Sequence, residues 1–457
     1  MENSRALALQ LLARIEAEHA YTGLLLDAAL RQSALDGRDK ALVTELVYGV
    51  TRWQKTLDWY ANQVCKKPMA QTNPWLRRIL RLGSYQLLFL DKIPPSAAIN
   101  EAVKLAGKYH QAAGLPAQTA KGFVNAALRA LDRQRGNLQP PATIADPIAR
   151  CAAMYSYPEW LVQRWVARLG EERAAEACRV NNQPAPLMIR INPLKTSVAE
   201  CQRLLASAVK TVTPLPDGLP GLILSGHPPI ADLPGYREGY FTVQNAASML
   251  IALLLEPQPG EYVLDACAGS GTKTTHLAEL MHNCGEIRAV DLHTGKLRKL
   301  QENCQRLGVT IARPQQADVT TLARRAGQEP RQCDRLLLDA PCSGLGVLRR
   351  HPEAKWTRQP AQIREFQQLQ LRLLRATAPL LRPGGICVYS VCTTEPEENE
   401  AVITEFLRTA HDFRLESVVP YLPGAASQSA TAEGFLRIDP PQPCFDGFFA
   451  ARLARQS

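Results

Sequence analysis

The first third of the chain repeats apolar positions with a helical period. In "SRALALQLLARIEAE" (4–18), Ala8, Leu11, Leu12 and Ile15 recur at the i, i+3, i+4, i+7 spacing of one helix face. "RDKALVTELVYGVTRWQKTLDWYANQV" keeps that period through Leu42, Val43, Leu46, Val47 and Val50. Pro74 stands near the start of "NPWLRRILRLGSYQLLFL", where a missing N–H is harmless to a helix. "PSAAINEAVKLAGKYH" and "KGFVNAALRALDRQ" add two further helices before the proline-containing "NLQPPATIADP" interrupts the pattern. Residues 1–140 are therefore expected to form an all-helical domain.

The pattern then becomes mixed. Over 146–235, "YPEWLVQRWVARLG" reads as a helix with Trp160 and Trp165 as core aromatics, "PLMIRINPL" as a strand, "SVAECQRLLASA" as a helix and "GLPGLILSG" as a strand. A small connecting α/β subdomain is expected there. From 236 to 457, strand and helix alternate: "EYVLDACAGSGTKTTHLAEL", "GEIRAVDL", "HTGKLRKLQENCQRLG", "RQCDRLLLDAPCSG", "AQIREFQQLQLRLLRATAPLL", "GGICVYSVCTT" and "ENEAVITEFLRTA", closed by "CFDGFFAARLAR". That alternation predicts a mostly parallel, doubly wound sheet, whose ligands bind beyond the carboxyl ends of the strands.

Composition narrows the class. A chain of 457 residues calls for two or three cores rather than one. The longest apolar run, "SMLIALLL", is far shorter than the roughly 20 residues of a membrane helix, and the N-terminus mixes acids and bases unlike a secretory signal. Twelve cysteines without a C-x-x-C pair or a zinc-ligand cluster read as reduced thiols in a cytoplasmic protein with no metal. Of the net charge of +10, residues 1–140 carry +8, with 19 Lys and Arg against 11 Asp and Glu. A basic domain of this kind fits a polyanion such as nucleic acid, or simply a solvated surface; charge alone does not separate the two.

The first strand of the sheet ends in Asp265-Ala-Cys-Ala-Gly269-Ser-Gly271. The spacing is not that of a Walker loop, and Thr274 occupies the third glycine position of a dinucleotide motif. Asp291, 22 residues after Gly269, ends the next strand, where a carboxylate can hold both ribose hydroxyls. An acid ahead of the glycines repels a pyrophosphate and suits a cationic amino-acid cofactor, which points to S-adenosylmethionine rather than NAD. Asp318, after the third strand, is placed either for the adenine or as a solvated loop acid.

Two cysteines stand just past apolar runs rather than inside them: Cys342 in "LLLDAPCSG" and Cys392 in "VYSVCTTEPEEN". Carbon 5 of a pyrimidine has no lone pair with which to accept a methyl group. A thiolate that adds to carbon 6 turns carbon 5 into an enamine-like nucleophile, and an acid such as Asp339 at nitrogen 3 eases the addition. A base must then take the carbon 5 proton before the thiol leaves. This chemistry requires one thiol and an acid at the strand ends and tolerates a second thiol. The turns themselves leave open which cysteine attacks, and two structural cysteines is the plainer alternative.

Those motifs resemble the RNA (cytosine-5) methyltransferases, and nearly the whole chain is similar to their bacterial ribosomal RNA subgroup of the RsmB/Sun/Fmu type. "RDKALVTELVYGVTRWQKTLDW" resembles an RNA-binding NusB domain; "RINPLKTS", "GYFTVQNAASML", "DACAGSGTKTTH", "LLLDAPCSGLGVLRRHPEAKW", "YSVCTTEPEENE" and "DGFFAARL" follow in family order. The resemblance implies a Rossmann-like S-adenosylmethionine-dependent methyltransferase domain behind an all-α NusB-like domain and the small α/β subdomain. It implies a cofactor loop of Cys267, Ala268, Gly269, Ser270, Gly271, Thr272 and Lys273, with Asp291 at the ribose, Asp318 at the adenine and Asp339 between cofactor and base. It makes Cys392 the nucleophile and Cys342 the aid to product release. The loop departs from the family's C-A-A-P-G-G-K in carrying Ser270 for the proline and Thr272 for a glycine. The implied substrate is one cytosine of naked or partly assembled small-subunit ribosomal RNA, modified by a monomer. A non-catalytic RNA-binding assembly factor, or methylation of another RNA, is the alternative. "LRRHPEAK" (348–355) is read as either a phosphate grip or a solvated basic loop.

Overall fold

The periodic segments fold as helices with those faces turned inward. The computed structural model describes residues 3–18, 20–324 and 331–456. In it α1 (Ser4–Glu18), α2 (Thr22–Gln32), α3 (Gly37–Asn62), α4 (Pro74–Phe89), α5 (Pro95–Lys108) and α6 (Ala117–Arg133) share one core containing Leu11, Leu12, Ile15, Val43, Leu46, Val47 and Val50. Asn73 caps α4 by accepting from the Trp75 N–H, with Pro74 in the first turn. α7 (Pro147–Tyr155), α8 (Glu159–Leu169) and α9 (Glu171–Asn181) cluster with these helices in one compact unit, Met1–Gln183 together with Leu348–Arg358. Trp165 lies in the core, as its spacing predicts, and Trp160 is half-buried.

The second unit comprises Pro184–Val347 and Gln359–Ser457. Its smaller sheet has the order β2-β3-β1-β4, all antiparallel, from β1 (Leu187–Ile191), β2 (Thr211–Pro214), β3 (Gly221–Ser225) and β4 (Phe241–Val243), with α10 (Val198–Leu205) between β1 and β2. α11 (Ala246–Leu255), apolar on every side and almost wholly buried, leads into the larger sheet. That sheet alternates β5 (Tyr262–Asp265), α12 (Thr272–Leu280), β6 (Glu286–Asp291), α13 (Thr294–Leu307), β7 (Ala312–Gln316) and β8 (Cys333–Asp339). The chain then passes through Leu348–Arg358, including the short α14 (Ala354–Thr357), and returns as α15 (Pro360–Thr377), β9 (Leu381–Val391), α16 (Glu400–Leu407), β10 (Phe413–Glu416), β11 (Leu436–Ile438) and β12 (Phe448–Arg455). The order β10-β12-β9-β8-β5-β6-β7 is parallel from β9 to β7, with β12 antiparallel to both its neighbours and β11 paired to β12. This is the predicted doubly wound architecture. The chain enters at β5, so the connections diverge there and leave a crevice at the carboxyl edge.

One expectation is corrected. The "LRRHPEAK" segment neither grips phosphates with its lysine nor presents that lysine to solvent. Lys355 is 0% exposed and donates to the backbone oxygens of Arg52 and Ser156 and to Asn182 Oδ1, at 2.9–3.1 Å, with its Nζ 3.9 Å from the centre of the Tyr157 ring. Burial holds its pKa well below the ordinary lysine value, with Arg52 adding repulsion. Arg349 and Glu353 are buried too; Glu353 accepts from the Thr22 N–H and faces His351. Lys355 and Glu353 are internal ties of the first unit.

Candidate active site

The carboxyl ends of β5, β6, β8 and β9 gather most of the candidate residues. Asp265 closes β5 and is fully buried. Thr274 donates to its Oδ2 at 2.7 Å, while Oδ1 has no partner among the described residues. Burial, reinforced by the nearby Asp339 charge, pushes its pKa up to about 7. Asp291, at the end of β6, accepts from the Gly269 N–H at 3.0 Å and the His293 N–H at 2.9 Å. It therefore ties the glycine loop to its own strand end. Cys267 is half-buried, and burial raises its thiol far above the usual range. Asp318 stays exposed and accepts from the Thr320 N–H and hydroxyl, capping the turn that follows β7.

The glycine loop is held through its main chain at both departures. Ser270 offers its carbonyl to Asn303 at 3.1 Å, and Thr272 offers its carbonyl to Arg190 at 3.0 Å. Gly271 has φ +83°, and a Cβ there would meet Leu300 at 2.6 Å, so this position admits only glycine without strain. Arg190, from β1, is completely buried and forms a bidentate pair with Glu279 of α12 at 2.7 and 2.8 Å, adding Thr275 Oγ1 at 3.0 Å. A buried pair of this kind contributes little net stability but fixes geometry, here the start of α12 and Lys273 on it. Beside Gly269 nothing lies within 4 Å of where a Cβ would stand. Open space at the loop, an unpartnered buried carboxylate oxygen at β5 and an acid at β6 fit a cationic amino-acid nucleoside.

β8 and β9 bring the remaining residues together. Asp339 pairs in register with Ser390, whose hydroxyl donates to Oδ1 at 2.8 Å, while Lys273 Nζ lies 2.6 Å from Oδ2. Beyond these strand ends, Cys342 Sγ and Cys392 Sγ are 3.3 Å apart and both half-buried. The contact with Cys392, together with burial, raises the Cys342 thiol well above its usual range. Gly346 donates to the Cys392 carbonyl at 3.1 Å and packs against Gly447, whose carbonyl would lie 2.2 Å from a Cβ. Cys333 and Cys387, inside the strands, are buried, and burial pushes Cys333 to about 12 and Cys387 higher.

Sequence reasoning missed the supports: Arg190 and Glu279 under the loop, Ser390 behind Asp339, and Glu398 and Gln370 behind the cysteine turns. The available signal was an unusual density of polar residues, "TTEPEEN", directly after Cys392 at the end of the mostly apolar "GICVYSV".

Comparison with known proteins settles the family. Residues 252–454 match the family described as 16S rRNA methyltransferase RsmB/F, residues 2–133 the NusB family, and residues 157–231 the RsmF/B-like ferredoxin-like domain. The chain is 41% identical, over all of both chains, to the probable ribosomal RNA small subunit methyltransferase B of Synechocystis sp.. The chain belongs to the ribosomal RNA small subunit methyltransferase B family. Its likeness to the probable enzyme of Bacillus subtilis is 37% over 99% of this chain and 98% of that one. The crystal structure of PH0851 superposes with a TM-score of 0.81 at 28% identity, covering 99% of each chain. A methyltransferase homologue from Pyrococcus horikoshii gives 0.58 at 30% identity, covering 68% of this chain and all of that one. The NusB-like helices, the ferredoxin-like subdomain and the Rossmann-like sheet are thus the parts of an RsmB-type methyltransferase.

Proposed function

We propose that this RsmB-family protein methylates carbon 5 of a cytosine in small-subunit ribosomal RNA through a covalent adduct with Cys392. The observation that carries the reading is the 3.3 Å pair of thiols beside an acid, past the ends of two adjacent parallel strands. S-adenosylmethionine, when bound, supplies an electrophilic methyl group at the glycine loop. Cys267–Lys273 and Asp291 would hold its nucleoside side, Asp318 would lie at the adenine, and Asp265 Oδ1 would receive its ammonium. The cytosine must be unpaired or flipped out, at a cost of about a few kcal/mol, least in a loop.

Cys392 Sγ, as thiolate, forms a bond to carbon 6, and the electron pair of the 5,6 double bond shifts towards carbon 5 and nitrogen 3. Asp339, fed by the Lys273 ammonium 2.6 Å away, holds a proton at nitrogen 3 as that charge develops. Once carbon 5 carries the methyl group, a base takes its proton, and the electron pair of that C–H bond re-forms the 5,6 double bond. The carbon 6–sulfur bond breaks to return the Cys392 thiolate, and nitrogen 3 gives its proton back to Asp339. Cys342, 3.3 Å from Cys392 Sγ, assists this release, as the base for the carbon 5 proton or in breaking the adduct. Residues 1–140 are proposed to bind RNA, 146–235 to connect, and 236–457 to catalyse.

Nucleoside analysis tests the reading. Small-subunit ribosomal RNA incubated with the protein and S-adenosylmethionine is expected to yield 5-methylcytidine at one position. N4-methylcytidine, or no methylated cytidine, contradicts the proposal.

A further inference from the structure

The mechanism leaves a buried acid beside the cysteine turns unused. Glu398, in "TEPEEN", is 0% exposed and has no access to RNA or cofactor, yet its carboxylate joins both cysteine turns. Oε2 accepts from the backbone N–H of Ser343, the residue after Cys342, at 2.8 Å. Oε1 accepts from the hydroxyl of Thr393, the residue after Cys392, at 3.2 Å. The Ser343 and Thr393 hydroxyls lie 2.8 Å apart and close the link directly. Gln370 of α15, also fully buried, donates from Nε2 to Glu398 Oε2 and to the carbonyl of Pro341, the residue before Cys342, both at 3.0 Å. The Glu398 carbonyl is itself held at 2.6 Å by the hydroxyl of Tyr389 on β9.

These bonds bracket Cys342 on both sides and Cys392 on one. The β8–β9 register and the Gly346 N–H bond to the Cys392 carbonyl bring the two turns together, and the Glu398 bonds add ties at the residues directly after the two thiols. An uncompensated carboxylate costs several kcal/mol to bury, so its position is justified only where its donors are supplied, as they are here. We infer that Glu398 is a positioning residue: with Gln370 as its brace, it clamps the two cysteine turns together and sets the distance between the thiols. This rests on the roles proposed above for Cys342 and Cys392, but the clamp itself is a geometric claim that can be read without turnover. Glutamine at this position can keep the acceptor for Ser343 and Gln370 and turn its amide towards Thr393 Oγ1, preserving the clamp without the charge. Alanine leaves the turns unlinked on the Glu398 side.

The test measures two rates on the full-length chain. The first is disulfide formation between Cys342 and Cys392 with diamide, followed by peptide mass spectrometry; the two thiols together lose two electrons and two protons to the diazene, which becomes the hydrazine. The second is kcat and KM for methyl transfer to small-subunit ribosomal RNA. Glu398→Ala is expected to slow cross-linking at least about tenfold and to lower kcat by about 10²-fold with KM little changed, the scale of a misplacement near 1 Å. Glu398→Gln is expected to restore both rates to within about threefold of wild type. Thr393→Val removes only the Thr393 side of the clamp; it serves if Glu398→Ala does not fold and is expected to slow both rates about tenfold. Cross-linking at the wild-type rate in folded Glu398→Ala or Thr393→Val overturns the clamp. Loss of turnover in Glu398→Gln with cross-linking intact also overturns it, by making the charge itself the requirement. If wild type forms no 5-methylcytidine but the cross-linking rates keep the predicted order, the clamp stands and the chemical reading falls.

Discussion

Among the described residues two pairs of thiols lie in contact, and their surroundings differ. Cys151 of α7 and Cys178 of α9 lie 4.0 Å apart between helices of the first unit, at 9% and 0% exposure. Burial drives the Cys178 thiol well above its ordinary range. Cys342 and Cys392 lie closer, at 3.3 Å, half-buried past the strand ends, with Asp339, Lys273 and Glu398 arranged around them. Proximity of two sulfurs therefore does not define a reactive site. Access, an adjacent acid and a polar frame that fixes the turns do, because a thiol packed among apolar groups is inert whatever its neighbour.

That contrast can be broken by substitution. Cys392→Ala is expected to lower methyl transfer by at least about 10⁴-fold, the scale of removing a covalent nucleophile, while Cys178→Ala stays within about twofold of wild type. Incorporation of labelled methyl groups into small-subunit ribosomal RNA measures both; comparable losses would erase the distinction between the pairs. Next in size is Lys355→Met. It leaves the Arg52 and Ser156 carbonyls and Asn182 without their shared donor and is expected to cost about 2–4 kcal/mol in urea unfolding. The salt dependence of RNA binding should not change; a shallower slope with stability intact would return the lysine to the phosphates.

A smaller effect sharpens the cofactor side of the site. The pKa of Asp265 is raised in the ligand-free fold, so its protonated form is favoured by folding. Its contribution to stability is full below about pH 4 and is lost as pH rises through about 7. Ionised Asp265 attracts an ammonium, so affinity for S-adenosylmethionine is expected to rise about tenfold between pH 6 and 8 in wild type and to stay flat in Asp265→Asn. Calorimetric titration at several pH values reads this directly, and parallel profiles for the two proteins would place the ammonium elsewhere.

Much of this arrangement was legible in the chain. Helical periods over 4–18 and 37–62 and the β/α alternation after 260 reported the fold because each element buries one continuous face against its neighbours. Asp265, Asp291, Asp339, Cys342 and Cys392 stood out because they interrupt or follow apolar strands, where side chains reach the carboxyl edge of the sheet. β2, β4, β10 and β11 are three or four residues long, too short for a period to register. Lys355 was misjudged because a charged run looks solvated unless its partners are known, and Arg52, Ser156 and Asn182 lie far away in sequence. Arg190 with Glu279, and Glu398 with Ser343 and Gln370, escaped notice for the same reason. The chemistry of a site is written in local motifs, whereas the frame that holds it is written in pairs between them.

The central claim is that Cys392, and not Cys342, bonds to the base. Incubating wild type, Cys342→Ala and Cys392→Ala with S-adenosylmethionine and small-subunit ribosomal RNA containing 5-fluorocytidine, then resolving the products on a denaturing gel, tests it most directly. A covalent protein–RNA complex in wild type and Cys342→Ala, absent in Cys392→Ala, is the predicted result. A complex that survives Cys392→Ala and disappears in Cys342→Ala would reverse the roles of the two thiols and contradict the account.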